Sequence, residues 1–204
     1  ASVVKELVEN SIDAGAKRID VTVEKGGAEL IRVTDNGCGI SAEQLPLAVA
    51  SHATSKISTA DDLFSVESLG FRGEALASIA AVSRMVITSR PQDCESGAVL
   101  EMVGGIAEPI QPVGAPQGTS IEVRPLFFNT PVRHKFMRTT QTEMGHVSEA
   151  VTRLALGNPL VHFTLTHANR LMHDLPPVTD VRDRVAALFG QDLAESLIPI
   201  ESEE

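Results

Sequence analysis

Three side chains near the start of the sequence have the types and spacing for hydrolytic chemistry. Glu6 and Asn10 stand four residues apart in the stretch KELVENSIDAG, residues 5–15. At about 100° per residue they share one face of a helix, with Asp13 beside them. A carboxylate placed there can activate a water, and an amide oxygen one turn away offers a hard ligand to Mg²⁺. The same arc also reads as a plain wetted helix face, although Asn adds little to a helix interior whose only task is solvation. The third residue, Asp35, continues the strand row Ile31, Val33 and leads into the turn Asn36-Gly37-Cys38-Gly39. If buried, its carboxylate must be paired or hydrogen-bonded; alternatively, it is a turn-forming Asp that bonds its own backbone, as Asp-Asn-Gly often does.

The elements that must carry these residues follow from periodicity. Val4, Leu7, Val8, Ser11 and Ile12 form the core side of the first helix, and Gly15 is placed to end it. Ile19, Val21 and Val23 alternate as a strand, Lys25-Gly26-Gly27 turns the chain, and residues 30–35 return. Ser41 with Gln44 suggests a capping box for a short helix to about His52, in which Cys38 just upstream is a small residue in a tight space. Residues 53–69 are Ser/Thr-rich and weakly periodic, the pattern of a lid, a binding loop or disorder. They end in Gly70-Phe71-Arg72-Gly73-Glu74-Ala75-Leu76, from which a helix runs to about Val82. Glycines just before a helix N-terminus let backbone N–H groups approach phosphate, though the bare pattern is common. Strands are expected at residues 84–89, 98–103 and within 106–113, where three prolines imply an edge, and at 120–124 after Gly118-Thr119. Residues 125–136 read as irregular. Thr140 with Glu143 predicts the capped start of a long helix whose core side is Val147, Ala150, Val151 and Leu154. Strands at Val161 to Leu165 and Leu171 to Leu175 and a helix from Val181 to Phe189, stopped by Gly190, complete the chain. The mixture is not a repeated βα alternation, which disfavours a simple doubly wound sheet.

Bulk composition limits the function classes. The 204 residues are 43% hydrophobic, enough for one domain with a real core. The net charge of −10 argues against clamping nucleic acid by bulk electrostatics. The densest basic run, RHKFMR at residues 133–138, reads equally as a solvated segment or a phosphate contact. Trp and Tyr are absent, which leaves little to stack single-stranded bases. The two cysteines, Cys38 and Cys94, have neither disulfide-framework nor metal-ligand spacing. No apolar run has membrane-spanning length and no signal peptide is visible, so the expectation is a reducing cytoplasm and no membrane. The absence of an initial Met and the apolar stretch just beginning at the end suggest a fragment.

No GxxxxGK[ST], dinucleotide GxGxxG, GxSxG, HExxH or CxxC occurs, and the six histidines are scattered. What remains is an ordered set: ELVENSIDAG, DNGCGI, SHATSKI, GFRGEALASI and FFNTPVR. In order and interval these resemble the MutL family of DNA mismatch-repair proteins, within the Bergerat (GHKL) superfamily shared with DNA gyrase, the ninety-kilodalton chaperones and histidine kinases. The resemblance covers essentially the whole chain, and GFRGEAL is its most characteristic motif.

The resemblance implies an α+β fold, a Bergerat sandwich in which helices pack on one face of a mixed, mostly antiparallel sheet. The ATP-binding domain would span residues 1–196, lacking an N-terminal dimerisation segment, and residues 197–204 would begin a second domain whose lysine reaches the γ-phosphate. By position, Glu6 would be the general base; Asn10 would hold Mg²⁺ against the triphosphate; Asp35 would accept from the adenine amino group; and Gly39 would let the turn lie close to the base. Thr54, Ser55 and Lys56 would belong to the lid. Gly70, Phe71, Arg72, Gly73, Glu74, Ala75 and Leu76 would supply lid-end contacts to phosphate, and Thr119 would lie near adenine. The implied activity is slow, Mg²⁺-dependent ATP hydrolysis, with ATP driving lid closure and dimerisation, either with itself or with a paralogue. A fragment lacking both flanking parts is expected to be weak in binding and turnover. The implied partners are a MutS-type mismatch-recognition protein and DNA; the compartment would be cytoplasmic in a bacterium and nuclear in a eukaryote. The alternatives are an ATP-gated interaction scaffold or another GHKL ATPase. Glu6 argues against a histidine kinase, which lacks the water-activating glutamate, and GFRGEAL differs from gyrase lids.

Overall fold

In the computed structural model, which describes residues 1–50 and 75–198, helices pack through the hydrophobic core against a nine-stranded mixed sheet. Its strands are β1 (Arg18–Glu24), β2 (Leu30–Asp35), β3 (Arg84–Arg90), β4 (Gly97–Val103), β5 (Ile106–Ala107), β6 (Gln111–Val113), β7 (Gly118–Arg124), β8 (His162–His167) and β9 (Arg170–Leu175). The order is β5-β4-β3-β7-β2-β1-β8-β9, with β6 also pairing β4. Among the described residues only β1 and β8 pair in parallel; every other pair is antiparallel. The parallel step is possible because the long helix α5 (Thr140–Gly157) precedes β8 and crosses the sheet face. The expected α+β architecture is therefore the observed one.

Alternation builds the core. Val21, Val33, Ile121, Ile87 and Leu100 form one buried cross-strand row, and Ile31, Val123, Met85 and Met102 a second. Helix α1 (Ser2–Asp13) lays Val4, Leu7, Val8 and Ser11 on this surface, and Met144, Val147, Val151 and Ala155 of α5 continue it. Full burial of each large aliphatic side chain contributes about 1.5–3 kcal/mol before entropy is deducted. The opposite sheet face is polar and self-paired: Arg32 Nε donates to Glu122 at 2.7 Å, Thr34 and Ser120 share a 2.9 Å hydrogen bond, and Thr164 donates to Asp20 at 2.6 Å.

Local details differ from the sequence reading. The helix after Ser41 is only α2 (Leu45–Ala48). Pro46 has no N–H and fits only the first turn, so the helix starts there; Ser41 contributes its carbonyl, not a side-chain cap. The cap of α5 is Thr139, whose Oγ1 accepts from Thr142 N at 3.3 Å, while Glu143 reaches back to Arg138 N. Ala150 and Leu154 are only half-buried. Residues 125–136 are not wholly irregular: Thr130-Pro131 opens a short helix, α4 (Pro131–Lys135), whose exposed Arg133, His134 and Lys135 begin the basic run. Helix α3 (Ala75–Ala81) and helix α6 (Val181–Phe189) lie where expected, and a further helix, α7 (Gln191–Ser196), follows α6. Arg184, an arginine at a core position of α6, donates to the carbonyls of Pro159 and Val161 at 2.8 Å each. No helix among the described residues is long and apolar enough to cross a membrane.

Candidate functional site

The site is built where α1 ends and the sheet's buried rows run out. Helix α1 closes with a Schellman arrangement: Gly15 N–H donates to the Ile12 carbonyl at 2.9 Å and Ala16 N–H to the Ser11 carbonyl at 3.1 Å. The loop after β2 docks onto this cap. Cys38 N–H donates to the Ala14 carbonyl at 3.0 Å, and the Asn36 side chain accepts from Lys17 N–H and Arg18 N–H at 2.8 Å each. These bonds tie the helix bearing Glu6 and Asn10 to the strand bearing Asp35.

Beyond the two apolar rows, the next cross-strand row on the core face is polar. Asp35 of β2 pairs with Thr119 of β7, and Thr119 pairs with Ser89 of β3. All three are buried. Asp35 Oδ1 accepts from Gly37 N–H at 2.8 Å and Thr119 N–H at 3.3 Å, and Oδ2 accepts from the Ser11 hydroxyl at 2.8 Å. Both readings of Asp35 are therefore realised: it bonds its own turn, and it is a buried acid held by partners from α1 and β7. Burial pushes its carboxyl above the usual carboxylate range, opposed by the donors from Gly37, Ser11 and Thr119. Ser89 Oγ accepts from Ile40 N–H at 2.7 Å and lies 3.0 Å from the Gly118 carbonyl and 2.9 Å from Thr119 Oγ1.

Two glycines permit the close packing. A Cβ on Gly118 would stand 2.0 Å from the Asp35 carbonyl oxygen, and its φ of +109° is itself unfavourable for other residues. Gly39, at φ +75°, lies against the end of β3: a Cβ would meet the Arg90 carbonyl oxygen at 2.5 Å. The space that glycine leaves at position 39 is thus filled by protein backbone. Cys38 is exposed, so the tight position is its neighbour's and not its own.

Glu6 and Asn10 are both half-buried on α1, one turn apart. Glu9 behaves differently; it is buried and accepts from Lys5 Nζ at 2.7 Å, an ion pair within the helix. Ala75 and Leu76 are half-buried at the start of α3. Thr54, Ser55, Lys56, Gly70, Phe71, Arg72, Gly73 and Glu74 lie outside the described residues. Sequence reasoning missed Ser11 and Ser89 as members of this cluster. Their signal was a polar residue at the end of an apolar row, as in Met85, Ile87, Ser89, the same pattern that marked Asp35. Among the described residues no three His, Cys, Asp or Glu side chains converge on a metal position. Asn10 alone therefore suits Mg²⁺ only where nucleotide phosphates and waters complete the octahedron, which is the usual mode for that ion.

Residues 1–107 match the family of histidine kinase-, DNA gyrase B- and HSP90-like ATPases. A structure of the Aquifex aeolicus MutL ATPase domain complexed with ADP superposes with a TM-score of 0.78 at 37% identity, covering 92% of this chain and 67% of that one. The chain belongs to the MutL branch of this ATPase family. DNA mismatch repair protein MutL of Actinobacillus pleuropneumoniae is 52% identical over 207 residues, 98% of this chain and 33% of that protein. The MutL of Azotobacter vinelandii is also 52% identical over 207 residues, with 100% of this chain and 32% of that protein covered. The chain thus spans about a third of the length of the curated relatives it matches, and it is the ATPase module of a MutL-type protein.

Proposed function

We propose that this module binds ATP with its adenine amino group on Asp35 and hydrolyses it with Glu6 as general base. The observation that carries the reading is the Ser11–Asp35 hydrogen bond, which fixes a buried acceptor against the helix that bears Glu6 and Asn10. The buried Asp35 carboxyl offers an oxygen edge that accepts from an amino donor and repels a carbonyl, so it selects adenine over guanine. Asn10 would contribute one oxygen to a Mg²⁺ held mainly by the phosphates; the ion, when bound, neutralises charge on the β- and γ-phosphoryl oxygens. Glu6 would orient a water and take its proton as the water oxygen attacks the γ-phosphorus and the bond to the β-bridging oxygen breaks, leaving ADP and inorganic phosphate. Such transfer needs little covalent participation from the protein beyond positioning and charge stabilisation. The lid-end motif 70–76 would add backbone donors to phosphate.

In the whole protein, ATP occupancy would close the lid and pair two protomers, either identical or paralogous, and hydrolysis would reset them. A MutS-type protein and DNA would read the closed state. The test is Glu6→Ala in the full-length protein, with single-turnover hydrolysis measured beside nucleotide titration. Loss of a general base should slow the chemical step by roughly 10²–10⁴-fold and leave affinity intact. Hydrolysis at the wild-type rate would remove Glu6 from the mechanism.

A further inference from the structure

We propose that Glu9 is a positioning residue of the hydrolytic site, holding the Lys5 ammonium away from Glu6 so that the Glu6 carboxylate stays free to take a proton from water; the inference rests on the reading of Glu6 as general base. Lys5 is the only basic side chain of α1 and stands one residue before Glu6. Its Nζ donates to Glu9 Oε2 at 2.7 Å, one helical turn further on. Glu6 forms no ion pair among the described residues. Helix stability accounts poorly for the Lys5–Glu9 pair. An i, i+4 pair is stronger with the acid on the N-terminal side, and here the order is reversed. The Glu9 side chain is 7% exposed and that of Lys5 52%. Burying a carboxylate costs desolvation, which attraction to a half-exposed ammonium scarcely offsets. What the buried carboxylate does provide is a fixed end for the pair, which lays the lysine stem along the helix axis.

Two carboxylates act on the Lys5 charge. The hydrogen bond to Glu9 pushes the ammonium above the usual lysine range, burial opposes that, and the charges of Glu9 and Glu6 both add to it. Neighbouring side chains on a helix diverge, so Lys5 meets Glu6 only when its stem is free to turn. With Glu9 made neutral, Glu6 is the carboxylate that remains for the ammonium. A cation on Glu6 favours its ionised form over its protonated form and so weakens it as a base. The reaction needs the opposite: Glu6 must bind the proton that leaves the water as the water oxygen attacks the γ-phosphorus. Glu9 therefore occupies the lysine that would otherwise occupy the base.

The experiment measures ATP hydrolysis by the full-length protein carrying Glu9→Gln, Glu9→Gln with Lys5→Met, or Glu9→Gln with Glu6→Ala, with Glu6→Ala alone as the reference. Glu9→Gln is expected to lower kcat about tenfold, part of the roughly 10²–10⁴ that a general base contributes, with the KM for ATP within about threefold of wild type. Adding Lys5→Met removes the cation and is expected to bring kcat back most of the way. In the Glu6→Ala background, Glu9→Gln should add little, because there is no base left to occupy. A merely structural Glu9 would lower the melting temperature, and its loss would be neither recovered by Lys5→Met nor absorbed by Glu6→Ala. A wild-type kcat for Glu9→Gln beside a slow Glu6→Ala overturns the proposal and leaves the general base standing. So does a loss that persists when Lys5→Met is added, or a rise in KM alone, which would place the effect at the neighbouring Asn10. Wild-type turnover by Glu6→Ala overturns the general-base reading itself. If Glu9→Gln fails to fold, Glu9→Leu, an apolar side chain for a buried position, takes its place in every comparison with the same expectations.

Discussion

Replacing Asp35 with Asn tests base recognition while sparing the fold, for reasons visible in its contacts. Oδ1 carries two backbone bonds, from Gly37 N–H and Thr119 N–H. An asparagine carbonyl oxygen placed at Oδ1 keeps both. The amide NH₂ then falls at Oδ2, facing the Ser11 hydroxyl. Ser11 has a second acceptor in reach, the Leu7 carbonyl at 3.1 Å, so it can turn its proton there and accept from the amide. The variant also removes a charge that burial disfavours. The melting temperature should therefore stay close to wild type. Nucleotide binding should not, because a donor now stands where the adenine amino group needs an acceptor. The loss is that of a charged hydrogen bond, about 1.5–3 kcal/mol, or roughly 10- to 150-fold in Kd. Titration of the full-length protein with a fluorescent ATP analogue, alongside a thermal melt, measures both quantities. An unchanged Kd in a normally folded variant would take Asp35 out of the site.

Other outcomes follow from the same contacts. Because burial raises the Asp35 carboxyl above the ordinary range, the acceptor is lost on acidification sooner than for a solvent-exposed carboxylate. Nucleotide affinity should fall as pH drops through that raised value, and the fall should vanish in Asp35→Asn; a pH series of binding isotherms reads both. The sign for folding is opposite: a carboxyl raised in the folded state adds stability below its unfolded pKa, and this is lost as pH rises through the folded value. Asn10→Ala should weaken ATP binding in the presence of Mg²⁺ and leave the metal-free affinity near wild type; equal affinity to wild type under both conditions would disprove the metal role. Gly118→Ala should abolish the close approach of β7 to Asp35, since its Cβ would overlap the Asp35 carbonyl, and should lower both melting temperature and nucleotide affinity. A wild-type melting temperature for that variant would contradict the packing described.

The sequence made the strands and the first helix legible because both rest on periodicity, and periodicity is a local property. Ile19, Val21 and Val23 announce a half-buried strand wherever they are placed. Asp35 was legible as unusual for the same reason: it occupies an apolar register. Ser11 and Ser89 obey that grammar too, but a serine in a core row is unremarkable until its partners are known, and those lie 24 residues away at Asp35 and 49 residues away at Ile40. Such contacts are tertiary and leave no local trace. The misplaced details have similar causes. Capping signals at Ser41 and Thr140 lost to neighbours, Pro46 in one case and Thr139 in the other, whose geometry suited the first turn better. The buried Arg184 sits at a core position that hydrophobic patterning excludes; one terminal nitrogen donates to two carbonyls, while its Nε is buried without a hydrogen-bond partner.

The central claim is that Asp35 and its polar row face adenine while Glu6 and Asn10, on the helix tied to them, face the phosphates. The most direct measurement is a crystal structure of the full-length protein with Mg²⁺ and a non-hydrolysable ATP analogue. The expected result is the adenine amino group within hydrogen-bond distance of the Asp35 carboxylate, the Asn10 amide oxygen on the metal, and a water between Glu6 and the γ-phosphorus. An adenine ring seated away from the Asp35–Thr119 pair would contradict it.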